Sequence, residues 1–320
     1  MEQKVNFFLI GAAKSGTTSL YERMSAREEV YLSPLKEPNY FSTDIDPKNF
    51  SDAFKANTQL DLSRYFKTSP LPQQQVGFVS EMNDYNRLFE AVESESVIGE
   101  CSTSYLYSRT AAQEVRTYNA QAKILVVLRN PVDRLFSHYL MARKYGFTAD
   151  DVRIAIEKDQ RLKQKGWGQS ELFVELGQYA EQLNRWYKEF PSEQIKVLFT
   201  EELKKEETWI QLYRWLGIKA HLPEEGSTNE DQQTSDPKGV ANSAGLARFE
   251  KLNRWITEKG LKKALGKILP SIIKRKLLYF YYTDVNLPTL NEADREYIAS
   301  FYDKDRARLT QLINRDLPWN

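Results

Sequence analysis

Val5-Asn-Phe-Phe-Leu-Ile-Gly-Ala-Ala-Lys-Ser-Gly-Thr-Thr18 is the stretch that decides the fold. An apolar run from Val5 to Ile10 stops at Gly11, and helical spacing runs from Thr17 to Arg27. The order is therefore buried strand, glycine-containing loop, helix. Main-chain N–H groups at such a turn converge, and the helix N-terminus adds partial positive charge, which suits a phosphate. Lys14 adds a full charge, and Ser15, Thr17 and Thr18 add hydroxyl donors. A capped helix would need only one Ser or Thr. A lysine, two glycines and three hydroxyls within eight positions favour an anion site. The loop departs from the nucleoside-triphosphate P-loop, which places Lys directly after its second Gly. Here Thr17 holds that position, and Lys14 precedes Gly16.

Further along, Lys123-Ile-Leu-Val-Val-Leu128 reads as a central parallel strand, and a helix follows from Val132 to Tyr145. Val97 and Ile98 lead into Gly99-Glu-Cys-Ser-Thr-Ser104, a further strand and loop. Residues 44 to 75 are polar and read as an irregular excursion with a short helix or two. The amphipathic stretch Glu171 to Phe190 precedes the strand Ile195–Phe199. This alternation predicts an α/β fold: a P-loop-like central parallel sheet flanked by helices, with a helical C-terminal portion. No internal repeat or linker appears. One domain is expected over 1–320, with its core at 5–217 and the C-terminal helices within 218–320.

Lys and Arg total 45 against 44 Asp and Glu, so any anion site must be a local arrangement and general nucleic-acid binding is not expected. One cysteine, Cys101, and two histidines, His138 and His221, leave no material for a disulfide framework or a His/Cys metal cluster. No signal peptide or spanning segment is apparent, so with Met1 as the natural start the expected location is cytoplasmic. Residues 259–276 carry seven basic side chains and no acid, with apolar residues at helical spacing and Pro270 interrupting. Such a segment reads as a helix packed on the domain with solvated lysines, or as a peripheral membrane-surface contact.

A second anion site follows the best strand. Arg129 emerges at its C-terminal end, where open α/β sheets bind ligands, and Ser137 lies eight residues on. A guanidinium and a hydroxyl suit a phosphate. Asp133 and Arg134 read as surface charges.

With these motifs in view, the chain resembles the sulfotransferases that use 3′-phosphoadenosine 5′-phosphosulfate (PAPS), in particular the glycan and heparan sulfate branch. Lys14-Ser-Gly-Thr-Thr18 matches that family's 5′-phosphosulfate loop, and Arg129 with Ser137 matches its 3′-phosphate motif. Lys36-Glu-Pro-Asn-Tyr-Phe41 resembles the segment carrying the acceptor base, and Gly99-Glu-Cys-Ser-Thr-Ser-Tyr-Leu106 resembles the second substrate strand. The match runs from residue 5 to about 217, with a weaker echo from Leu290 to Trp319. The resemblance implies PAPS as co-substrate with no metal. It makes Lys14 and Glu37 the catalytic pair, with Lys14, Ser15, Gly16, Thr17, Thr18, Arg129 and Ser137 on the nucleotide. Lys238 and Gly239 stand where the family has a late nucleotide loop. The acceptor is expected to be a hydroxyl of a saccharide or glycolipid. A small alcohol or phenol is the alternative, disfavoured because small-phenol enzymes use a histidine as base. A P-loop-type nucleotide-binding protein without sulfotransfer is the reading from another class. Cys101 stands where glycan-type relatives often have Lys, which removes a contact to an anionic acceptor.

Overall fold

The computed structural model describes residues 4–58, 60–220 and 288–319. His221, Lys238, Gly239 and the basic segment 259–276 lie outside the described residues. Strand β1 (Phe7–Leu9) lies at the centre of a wholly parallel five-stranded sheet. Its other members are β2 (Val30–Leu32), β5 (Val97–Cys101), β6 (Lys123–Leu128) and β7 (Ile195–Phe199), in the order β2-β5-β1-β6-β7. Two further strands, β3 (Leu35–Glu37) and β4 (Gln74–Val76), form a separate parallel pair.

Strand side chains alternate between faces. Phe8, Ile124, Val126 and Leu128 join one core, covered by the helices Ala111–Tyr118 and Tyr179–Glu189. Phe7, Leu9, Leu125 and Val127 join the other, covered by the helices Thr17–Ser25 and Glu206–Leu216. Burial on both faces explains why the β6 sequence is a continuous apolar run rather than an alternating one. Because β5, β1 and β6 are adjacent and parallel, the segments leaving their C-terminal ends gather at one edge. Those segments are the Ser102–Thr103 turn, the Gly11–Gly16 loop and Arg129.

Among the described C-terminal residues, 288–319, two helices form, Glu292–Ala299 and Asp303–Ile313. Ile298 and Tyr302, from Glu292–Ala299 and the turn after it, pack with Leu135 and Tyr139 of the helix Pro131–Tyr145. Asp305, in the helix Asp303–Ile313, accepts hydrogen bonds from the main-chain N–H of Tyr179 (2.8 Å) and Ala180 (3.1 Å), capping the helix that begins there. Among the described residues no helix is long and apolar enough to cross a membrane.

Several local expectations change. Residues 44–75 contain the short helices Asp52–Thr58 and Leu62–Tyr65, as read, but end in strand β4. Within the amphipathic stretch Glu171–Phe190, the α-helix occupies only Tyr179–Glu189. A turn at Glu175–Gly177 intervenes, where a Cβ on Gly177 would come within 2.8 Å of the Tyr302 ring, and the helix starts at Tyr179.

Gly99 is required by close approach within the sheet. A Cβ there would lie 2.5 Å from Phe7 Cδ1 and 2.8 Å from the Phe7 carbonyl oxygen. Backbone cannot step aside cheaply, so Gly99→Ala is expected to lower stability by roughly 1–3 kcal/mol. Thermal unfolding of the variant against wild type measures this, and an unchanged midpoint would contradict it.

Candidate active site

The Gly11–Thr18 loop is tied down through both kinds of main-chain group: Ala12 N donates to Val127 O (2.7 Å) and Ser15 N to Ala12 O (3.2 Å). Gly11 O accepts from Val127 N (2.8 Å), Lys14 O from the Arg129 guanidinium (3.2 Å), and Ser15 O from Thr200 Oγ1 (3.1 Å). Lys14 (φ 67°) and Gly16 (φ 87°) both adopt left-handed backbone, which turns successive N–H groups the same way. Gly16 is the N-cap of the helix Thr17–Ser25, and no side chain caps it. The amides of Thr17, Thr18 and Ser19 therefore lack intrahelical acceptors by geometry. The hydroxyl-capped helix considered from sequence is not what forms. Ser15 Oγ is fully buried and lies against the Tyr179 hydroxyl. A buried hydroxyl beside the uncapped first-turn amides of this helix fits an anion such as a phosphate or phosphosulfate.

At the end of β6, Arg129 reaches the first loop, and its own carbonyl accepts from Tyr179 Oη at 2.9 Å. Asn130 caps the helix Pro131–Tyr145, its Oδ1 accepting from Val132 N at 2.9 Å. Ser137 is buried nearly two turns into that helix. Asp133 is half-exposed and pairs with Arg295 at 3.0 Å. Arg134 is fully buried, not on the surface, and donates to the Phe173 carbonyl. His138 faces Glu171, its Nε2 3.3 Å from the carboxylate, and burial pushes its pKa below the ordinary value.

Glu37 closes β3 and is held at both oxygens. Oε1 accepts from Lys36 Nζ at 3.1 Å and Oε2 from Thr103 Oγ1 at 3.0 Å. Each oxygen keeps a lone pair for a further donor. Thr103 stands beside the first loop, since a Cβ on Gly11 would lie 3.5 Å from the Thr103 carbonyl oxygen. Lys36 is itself buried. Burial opposes its charge, yet its pKa is raised because Cys101 and Glu37 lie alongside. Cys101 in turn sits between Lys36 and Thr17, with burial pushing its thiol up to about 12.

Beyond Thr103, the short helix Ser104–Tyr107 leads into a cleft of about 440 Å³. Tyr107 and Trp167 face each other there with ring centroids 6.0 Å apart, and Arg109, Gln169 and Gln178 are among the polar side chains on its walls. One helical turn separates Thr103 from Tyr107, roughly 6 Å along the axis.

A family model, the sulfotransferase domain, matches residues 4–235. The chain belongs to the sulfotransferase family. Its members are transferases of the EC 2.8.2 type. Within the family it is similar to carbohydrate sulfotransferase 15 of Rattus norvegicus, with 23% identity over 329 aligned positions covering 92% of this chain and 54% of that one. It is also similar to the bifunctional heparan sulfate N-deacetylase/N-sulfotransferase 4 of Mus musculus, with 23% identity covering 97% of this chain and 30% of the relative. The chain thus spans about half the length, or less, of these curated relatives. The solved sulfotransferase from Alicyclobacillus acidocaldarius superposes with a TM-score of 0.67 at 25% identity, covering 98% of both chains.

Sequence reading assigned no role to Lys36, Thr103, Tyr179 or Thr200. Thr200 carried a signal, since it follows a strand at the ligand-binding edge of the sheet. Lys36 carried none, because a lysine is seldom buried unless paired.

Proposed function

We propose that this chain transfers a sulfuryl group from PAPS to a hydroxyl of a saccharide or glycolipid. The observation that carries the proposal is the convergence of two unlike sites: a loop bearing Lys14 that ends at the uncapped N-terminus of the helix Thr17–Ser25, and a Glu37 carboxylate held at both oxygens. When bound, the nucleotide brings an activated sulfuryl group carried on its 5′-phosphate. In this reading Ser15, Gly16, Thr17 and Thr18 bind the anionic end through main-chain N–H groups and hydroxyls, and Lys14 neutralises the charge that develops there. Arg129 and Ser137 take the second phosphate. Glu37 accepts the acceptor's proton, with Lys36 and Thr103 fixing its direction. Support for a saccharide comes from the names of the relatives and from the Tyr107–Trp167 cleft one turn away.

Titration calorimetry with adenosine 3′,5′-bisphosphate and with ATP tests the donor. Tighter binding of the bisphosphate is expected, and a preference for ATP would overturn the proposal. For the acceptor, a screen of sugars, glycolipids and phenols with sulfur-labelled PAPS identifies the class. On the accepted sugar, Trp167→Ala is expected to raise acceptor KM about tenfold, the loss of one stacked aromatic contact at roughly 1.4 kcal/mol. Bisphosphate affinity should stay unchanged, and an unaltered KM would place the saccharide elsewhere.

A further inference from the structure

Glu100 is fully buried in β5, on the face of the sheet opposite Cys101, and no cation pairs with it among the described residues. Its surroundings are aromatic: Phe41 stands edge-on to both Tyr85 and Tyr105. Burial pushes its carboxyl up to about 7 although three hydroxyls pull the other way. A carboxylate in such a place is expensive, and stability alone would favour an apolar residue.

Its hydrogen bonds show what it does. Oε1 accepts from Tyr85 Oη and Tyr105 Oη, each at 2.8 Å, and Oε2 accepts from Ser102 Oγ at 2.8 Å. With their protons committed to Glu100, the Ser102 and Tyr105 oxygens are left as acceptors. Ser102 Oγ accepts from Asn39 N at 3.0 Å, and Tyr105 Oη accepts from Phe41 N at 3.2 Å. Both N–H groups belong to the segment that begins at Lys36 and Glu37. Asn39 is held there in left-handed backbone at φ 54°, and its Nδ2 donates to Glu37 O (2.8 Å) and Gly77 O (2.8 Å). Two chains of hydrogen bonds thus run from one carboxylate to the backbone immediately after Glu37.

We propose that Glu100 is a positioning residue for the acceptor base, acting through Ser102 and Tyr105 to fix the Asn39–Phe41 backbone and with it the aim of the Glu37 carboxylate. This rests on the reading of Glu37 as base. A glutamine cannot replace Glu100 in the role. Wherever its NH₂ falls, at least one hydroxyl proton loses its acceptor and the orientation of that chain is no longer dictated.

The test measures kcat, acceptor KM and adenosine 3′,5′-bisphosphate affinity at pH 8 for Glu100→Gln, alone and combined with Glu37→Gln. A displacement of the base by about 1 Å costs on the order of 10²-fold, so Glu100→Gln is expected to lower kcat by roughly 10- to 100-fold. Nucleotide affinity should hold within about twofold. In the Glu37→Gln background the same change should cost less than about twofold, because the group it positions is already gone. Ser102→Ala and Tyr105→Phe each sever one chain and should lower kcat several-fold, which keeps the test available if Glu100→Gln does not fold. Tyr85→Phe removes a hydroxyl that holds no backbone N–H, and should leave kcat within about twofold. An unchanged kcat in Glu100→Gln, an equal loss in the Glu37→Gln background, or an equal loss in Tyr85→Phe would each overturn the positioning role. Full activity in Glu37→Gln alone would instead remove the base on which it rests.

Discussion

Glu37→Gln is expected to lower kcat by about 10² to 10⁴, the usual range for a group that moves a proton in the transition state, with adenosine 3′,5′-bisphosphate affinity nearly unchanged. The substitution is close to isosteric, and the local bonds tolerate it. With the amide oxygen toward Lys36 Nζ, the amide NH₂ meets Thr103 Oγ1, which can accept as well as donate. Packing and the neighbouring loop are therefore preserved, and what is lost is the capacity to take a proton. Turnover with sulfur-labelled PAPS and titration calorimetry on the same preparation separate chemistry from binding. Turnover within a few-fold of wild type would sink the assignment. A loss confined to acceptor KM would make Glu37 a binding group.

The contrast between what the sequence revealed and what it hid has a physical cause. Lys123–Leu128 is read correctly because a strand buried on both faces is apolar at every position, a pattern independent of its neighbours. The strand–loop–helix order around Gly11–Thr18 is equally clear, since an apolar run stops at a glycine and helical spacing resumes at Thr17. Strand β4 was hidden. Gln74 and Gln75 are exposed and polar, and they are extended because Leu35 and Glu37 lie alongside in β3, a pairing nearly 40 residues distant. Arg134 was misread for the same reason, because its acceptor, the Phe173 carbonyl, is 39 residues away. The proposed base site is half legible. Glu37 followed from the resemblance of its segment, whereas the role of Lys36 depends on where Cys101 and Thr17 fall, which local pattern does not encode. Glu100 has no role legible in its motif, since a buried acid looks like any other until its three hydroxyl donors are found.

Lys14→Met carries the other large effect, an expected loss of about 10² to 10³ in kcat, the magnitude seen when one donor to a developing negative charge is removed. Methionine keeps an unbranched stem of similar length, so the change isolates the ammonium group. It also leaves the backbone comparison fair, because any L side chain at φ 67° bears the same left-handed strain that Lys14 already does. Two of the loop's anchors are main-chain carbonyls that the substitution leaves in place: Lys14 O is held by Arg129, and Ser15 O by Thr200. The variant should therefore fold, with the amides of Thr17 to Ser19 still available to an anion. Bisphosphate affinity is expected to weaken by less than kcat, because the charge on the leaving oxygen grows only as the bond to sulfur breaks. Paired measurements of kcat and bisphosphate affinity decide the matter. An unchanged kcat with a raised KM for PAPS would reduce Lys14 to ground-state binding, and the transition-state role would fall with it.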